Sequence, residues 1–170
     1  MTDASAASAD DPLVFRHQPV DADRQAIRDI VTSTGVFNAV EVETAVELVD
    51  ERLSKGPVSG YHFVFADRGN ETIGYACYGP IALTVGSYDL FWVAVSKSAQ
   101  GLGLGRKLLR KAEELVQQAG GRRVYIETSG RHDYADTRIF YDRCGYLKEA
   151  VLKDFYAPGD DKVIYVRAVG

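Results

Sequence analysis

Gln100-Gly101-Leu102-Gly103-Leu104-Gly105 is the stretch of this 170-residue chain with the clearest capacity for chemistry. Its three glycines alternate between an apolar run, Leu90 to Val95, and a segment with amphipathic helical spacing. A helix that starts on such a loop presents backbone N–H groups without helical partners and the positive end of its dipole, so the segment can hold an anion, most often a phosphate. Two nucleotide motifs fail by count. A dinucleotide fingerprint would need glycine at Arg106 counting from Gly101, or at Leu108 counting from Gly103. A P-loop closing on Gly105 would need glycine at Gln100, and a hydroxyl would have to follow Lys107; neither is there. His17, His62 and His132 are scattered and lie in no nucleophile motif, which leaves a triad hydrolase without support.

What remains, Gln-x-x-Gly-x-Gly between a strand and a helix, resembles the acyl-CoA pyrophosphate loop of the GNAT N-acetyltransferase superfamily. The resemblance, not the spacing alone, names coenzyme A. It implies that the backbone of Val93, Ala94 and Val95 pairs with the pantetheine arm as a further strand would. It also implies that Gln100, Gly101, Leu102, Gly103, Leu104, Gly105 and Arg106 cradle the pyrophosphate, with charge added by Arg106 and Lys107. The competing reading is a glycine-rich turn into a core helix whose basic pair is merely solvated.

A second stretch, Tyr141-Asp142-Arg143-Cys144-Gly145-Tyr146, is similar to the superfamily's later motif, a tyrosine with glycine four residues on and then an aromatic. The resemblance implies that Tyr141 stands near the CoA sulfur as general acid and that Thr137 and Phe140 face the donor. A thiol with a reference pKa of about 8.5 and a phenol of about 10 differ by only ~2 kcal/mol, so such a proton is shared at modest cost. The competing reading of Tyr141 is a tyrosine packed on its helix, as Phe140 is. Where many members carry Asn and Ala seven and four residues before the tyrosine, this chain has Tyr134 and Thr137. The donor contact usually made by that asparagine is therefore replaced by a hydroxyl or lost.

Attack on a thioester also needs a neutral amine, and an amine of pKa near 10 is neutral in only about one molecule in a thousand at pH 7, a penalty of ~4 kcal/mol. A base is called for. Asp89 stands six residues before Val95, an offset at which the histone-acetylating branch of the superfamily carries a carboxylate; a strand-start aspartate capping the Ser87-Tyr88 turn is the competing reading. Glu127 is the second candidate, since strand alternation puts it with Tyr125 on one face and Val124 and Ile126 on the other. Phe37, Tyr78, Thr84 and Tyr156 lie on segments that would rim the acceptor cleft in this fold.

These residues need elements to position them. Val14 to Arg16 reads as a short strand. Asp21 is placed to cap a helix through Ile27, Ile30 and Val31 that stops at Gly35. Asn38 with Glu41 is a capping-box pattern for a second helix, which carries Val42, Ala45, Val46, Val49 and Leu53 on one face and ends at Gly56-Pro57. Tyr61 to Ala66 and Thr72 to Tyr78 flank Asp67-Arg68-Gly69-Asn70 as a hairpin. Leu90 to Val95, apolar throughout, is expected to be central and covered on both faces. The following helix puts Leu104, Leu108, Ala112, Leu115 and Ala119 on one stripe, and Arg123 to Thr128 returns as a parallel strand. A helix over Thr137 to Arg143 is stopped by Gly145, and Leu147 to Tyr156 with Lys162 to Val169 forms a last antiparallel pair. The order β-α-α-β-β-β-α-β-α-β-β makes this an α+β chain with a mixed sheet flanked by helices, the architecture that the GNAT resemblance implies over Val14 to Val169.

The bulk composition bounds the function. With 46% hydrophobic residues the chain is expected to be one domain over 13–170, behind a flexible tail over 1–12. A net charge of −4 argues against nucleic acid as a partner and suits a cationic amine. Cys77 and Cys144 lack metal or redox spacing, so no metal is expected and a reducing, cytoplasmic compartment fits. There is no apolar run of membrane-spanning length and no signal-peptide pattern. The expectation is an enzyme that transfers acetyl from acetyl-CoA directly to a small-molecule primary amine, without a covalent acyl-enzyme. An acyl-CoA sensor without turnover and a peptide or protein acetyltransferase are the alternatives. The choice between a monomer and a homodimer, and the identity of the amine, stay open.

Overall fold

The computed structural model describes residue 8 and residues 10–170. The flexible tail expected over 1–12 falls mostly outside the described residues. The elements follow the expected order: β1 (Leu13–Arg16), α1 (Asp23–Ser33), α2 (Ala39–Lys55), β2 (His62–Arg68), β3 (Glu71–Pro80), β4 (Ser87–Val95), α3 (Leu104–Gln118), β5 (Arg123–Ser129), α4 (Ala135–Arg143), β6 (Leu147–Ala157) and β7 (Asp160–Ala168). The strands are ordered β1-β2-β3-β4-β5-β7-β6 in a mixed seven-stranded sheet. β4 is the fourth of seven, as its apolar run predicts. β4 and β5 are parallel, which the helical crossover α3 requires, and β5–β7 and β6–β7 are antiparallel.

Residue contacts divide the chain into two compact units, one of residues 1–77 and 92–112 and one of residues 78–91 and 113–170. In the first unit the apolar faces of α1 and α2 close on the sheet. Ile27, Val31 and Val49 are fully buried with Phe65, and the rings of Phe63, Phe65 and Tyr75 stack at 5.4–6.4 Å. The Asn38 side chain accepts from the Glu41 N–H while Glu41 reaches back to the Asn38 N–H, completing the predicted capping box. Asp21 does not cap α1. It pairs with Arg24 on the surface, while buried Asp23 accepts from the Val20 N–H at 2.7 Å and holds Arg16 through two hydrogen bonds of 2.8 Å. The deeper carboxylate wins because it has the guanidinium to neutralise it.

The second unit is built on β5, β7 and β6. Val124 and Ile126 are buried and Glu127 is exposed, the predicted alternation. The stripe of α3 is turned from the expected one. Leu104, Leu108, Leu109, Ala112 and Val116 are buried, whereas Leu115 is half-buried and Ala119 exposed. Counting strictly by four drifts around a helix of 3.6 residues per turn, so the apolar face passes to Leu109 and Val116. β4 is also not covered throughout, since Phe91 is 38% exposed. The Cα register of β4 with β5 runs only from Ser87↔Arg123 to Asp89↔Tyr125, although β5 continues to Ser129.

Candidate active site

The glycine loop lies in the first unit and enters α3 at Leu104. Gly101 and Gly103 have φ of +81° and +75°, and a Cβ on either would meet nothing within 4 Å. These glycines are therefore required by backbone conformation and not by crowding, and alternating conformations of this kind turn successive N–H groups to one side. Gln100 closes the loop from its start, its Nε2 donating to the Val95 carbonyl at 3.2 Å. Val95 thus carries one bond from within the loop beside any it offers to a ligand. Leu102 is exposed between the two glycines, Leu104 is buried, and the Lys107 N–H returns to the Gly103 carbonyl at 3.2 Å. The loop fits a diphosphate: open space above, glycine-dependent geometry and the start of a fifteen-residue helix. Phe37 is in the same unit, 5.1 Å from Trp92 between ring centroids.

In the second unit, Tyr141 is buried on α4 among the rings of Phe140, Tyr146 and Tyr165 at 5.4–6.1 Å. Among the described residues no hydrogen bond engages its hydroxyl, whereas Tyr146 donates to buried Glu113 at 2.9 Å. Burial, and secondarily Cys144, pushes the Tyr141 phenol above its ordinary range. Gly145 ends α4 with φ +85°, and a Cβ there would come within 2.5 Å of Arg167 Nη1, whose guanidinium donates to the Cys144 carbonyl at 2.7 Å. The tyrosine–glycine spacing thus has a packing reason. Thr137 and Phe140 are half-buried on the same helix.

Asp89, Leu90, Phe91, Glu127 and Tyr156 line one cavity of about 280 Å³ in this unit. The two carboxylates singled out as bases are thus brought together with one of the four acceptor-side residues. Half-buried Asp89 is raised from the usual carboxylate range, by burial first and by the Glu127 charge second, with Lys162 opposing. Glu127 pairs with Lys162 at 2.7 Å. Tyr78 is buried on β3, and the Thr84 hydroxyl donates to the Ile81 carbonyl within its turn at 2.7 Å; neither lines this cavity. Lys162 escaped the sequence reading because its position beside Glu127 depends on the β5–β7 register, where Lys162 opposes Ser129 and Ile164 opposes Glu127. A larger cavity of about 710 Å³ lies in the first unit against Arg16, Asp23, Asp67, Ser96 and Lys97. It contains none of the candidate residues, and Arg16 ties Asp23 and Asp67 to each other. Among the described residues no cluster of His, Cys, Asp and Glu could hold a metal ion, and no helix is long and apolar enough to cross a membrane.

Comparison with known proteins gives the family and the fold. The profile of the acetyltransferase (GNAT) family matches residues 25–146. A protein from Desulfovibrio desulfuricans assigned to the GNAT family of acetyltransferases is 49% identical, with a TM-score of 0.92 over 94% of this chain and all of that one. The N-alpha-acetyltransferase RimI of Mycobacterium tuberculosis is 31% identical over 96 residues, 56% of this chain and 58% of that protein. The chain spans less than two thirds of the length of the curated relatives it matches. An aminoglycoside 6'-N-acetyltransferase solved with coenzyme A shares the fold, with a TM-score of 0.73 over 92% of this chain and 97% of that one at 16% identity.

Proposed function

The chain belongs to the acetyltransferase (GNAT) family, and we propose that it is an acetyl-CoA-dependent N-acetyltransferase whose acceptor is a primary amine on a small molecule and whose transfer is direct. The cavity of about 280 Å³ with Asp89, Glu127 and Tyr156 on its wall carries the reading, being of small-molecule size, acidic and aromatic. Acetyl-CoA, when bound, supplies the activated acyl group. The Gly101 to Arg106 amides would hold its diphosphate, and the Val93 to Val95 backbone would pair with its arm. Thr137 and Phe140 would serve the donor from α4. Of the four residues expected on the acceptor side, Tyr156 lines this cavity.

Asp89 takes the proton that the acceptor ammonium must lose before its nitrogen lone pair can attack the acyl carbon. Glu127 is the alternative base. As the carbon–sulfur bond breaks, Tyr141 donates its hydroxyl proton to the sulfur and regains one from the nitrogen, so one ammonium and one thioester give one amide, one thiol and one proton. Burial of Tyr141 penalises a phenolate, which favours coupling of the two proton movements. Since Asp89 must be ionised and burial raises it, the acid limb of kcat/KM should lie higher than an unperturbed aspartate would place it, and activity declines as pH drops through it.

The likeness to an N-alpha-acetyltransferase favours a second reading, a peptide α-amine as acceptor. A screen of amino acids, polyamines, aminoglycosides and peptides, followed by thiol release and mass of the product, separates the two. Small amines acetylated with kcat/KM well above any peptide support the proposal. A peptide as the best acceptor overturns it in favour of the second reading, and acetyl-CoA binding with no thiol release from any amine leaves a sensor.

A further inference from the structure

Lys162 is surrounded as a bound cation would be. Its Nζ is 2.7 Å from Glu127 Oε2, 3.7 Å from the Phe155 ring centroid and 5.7 Å from that of Tyr156, and only 12% of its side chain is exposed. Phe155 and Tyr156 are consecutive, and in a regular strand their side chains would point to opposite faces. Here Asp154 takes φ +52°, its N–H donating to Asp161 Oδ1 at 2.9 Å and its Oδ1 accepting from the Gly159 N–H at 2.7 Å. The register of β6 with β7 shifts between Leu152 and Ala157. This irregularity brings both rings within reach of one ammonium, at the cost of a backbone conformation that an aspartate rarely adopts.

We infer that Lys162 is a positioning residue for acetyl transfer, one that engages Glu127 from β7 and leaves the Asp89 carboxylate as the cavity's proton acceptor. The inference rests on the acetyltransferase reading of the cavity and adds the division of labour between its two acids. Without a cation beside Glu127, two carboxylates on the wall of one small cavity would repel, and the proton would be shared between them. With Lys162 in place the pair is unequal: Glu127 has an ion-pair partner, whereas among the described residues no hydrogen bond or ion pair engages the Asp89 carboxylate. The charged groups facing Asp89 are Glu127 from β5 and Lys162 from β7. Tyr156 adds its phenol from β6 and itself feels Glu127, Asp160 and Tyr134. Asp160 is taken up by Ser129 and lies 3.8 Å from Arg131.

The test is a carboxyl ¹³C NMR titration of Asp89 in the full chain without acceptor, for wild type, Lys162→Met, Lys162→Arg and Glu127→Gln. It is paired with pH profiles of acetyl transfer to the best amine of the screen. The Asp89 midpoint should rise by ~0.5–1 pH unit in Lys162→Met, return close to wild type in Lys162→Arg, and fall in Glu127→Gln. An Asp89 midpoint that stays put in both Lys162→Met and Glu127→Gln overturns the inference and leaves Lys162 a packing residue. Should Lys162→Met not fold, the opposite displacement in Glu127→Gln and retention in Lys162→Arg decide the matter, and an unmoved midpoint in Glu127→Gln refutes it. If the NMR midpoints move as stated and the acid limb of transfer does not follow them, the coupling stands and the assignment of Asp89 as base falls, so the two failures are distinct.

Discussion

Tyr141 and Tyr146 are five positions apart, both buried, and their rings lie 6.1 Å from each other between centroids, yet the two hydroxyls have different fates. That of Tyr146 is committed to Glu113, which also lies 3.4 Å from Arg167 Nε, so the group belongs to the interior of the second unit. The Tyr141 hydroxyl has no hydrogen bond among the described residues, and it costs the fold little to remove. Tyr141→Phe should therefore unfold at nearly the wild-type temperature and bind CoA with unchanged affinity, while kcat for acetyl transfer drops ~10²-fold or more, as loss of a general acid does. Thermal unfolding, calorimetric CoA titration and steady-state kinetics on one preparation check the three parts. Unchanged kcat would return Tyr141 to the role of a packed ring.

At the level of elements, the strand–loop–helix unit of β4 and α3 is the one proposed to hold the donor. Gly103→Ala forces an alanine toward φ +75°, a conformation that costs a residue with a Cβ roughly 1–2 kcal/mol, with no steric clash to add to it. The loop relieves that strain by rotating its amides. The expected result is a CoA Kd raised ~10-fold with global stability lowered by no more than ~2 kcal/mol, read by calorimetry and urea unfolding. A Kd within twofold of wild type would mean that the loop amides do not hold the ligand. The elements of this unit were legible in the sequence because their signals are local, alternating glycines, an apolar run and a helical period within thirty residues, whereas the buried face of α3 and the cover of β4 were not. The capping box of α2 was legible for the same reason. The parts that were not legible depend on long-range register. Lys162 meets Glu127 only once β7 has paired with β5, and Phe155 and Tyr156 share a cation only because Asp154 breaks the alternation of β6. The choice of Asp23 over Asp21 at the start of α1 likewise needed Arg16, which arrives from β1.

Over the whole molecule, charge poses a question that the site must answer, because a chain of net charge −4 has to bind a polyanionic donor. The answer lies in distribution. Arg106, Lys107, Arg110 and Lys111 crowd the first two turns of α3, directly after the glycine loop, while the carboxylates Glu113 and Glu114 come later on the helix. At 0.1 M salt a charge is felt over about 10 Å, so a diphosphate at the loop would respond to the basic turns and to the helix N-terminus more than to the net charge of the chain. If the net charge governed binding, added salt would screen repulsion and tighten CoA; if the local field governs, salt weakens it. The local field should win. Raising the salt from ~20 to ~500 mM shortens the screening length several-fold and is expected to raise the CoA Kd at least ~3-fold, with the enthalpy and stoichiometry of a single site retained. Replacing Arg106 and Lys107 together by glutamine should flatten that dependence while leaving the fold intact. Tighter CoA binding at high salt would place the donor away from the start of α3 and remove the loop from the donor site.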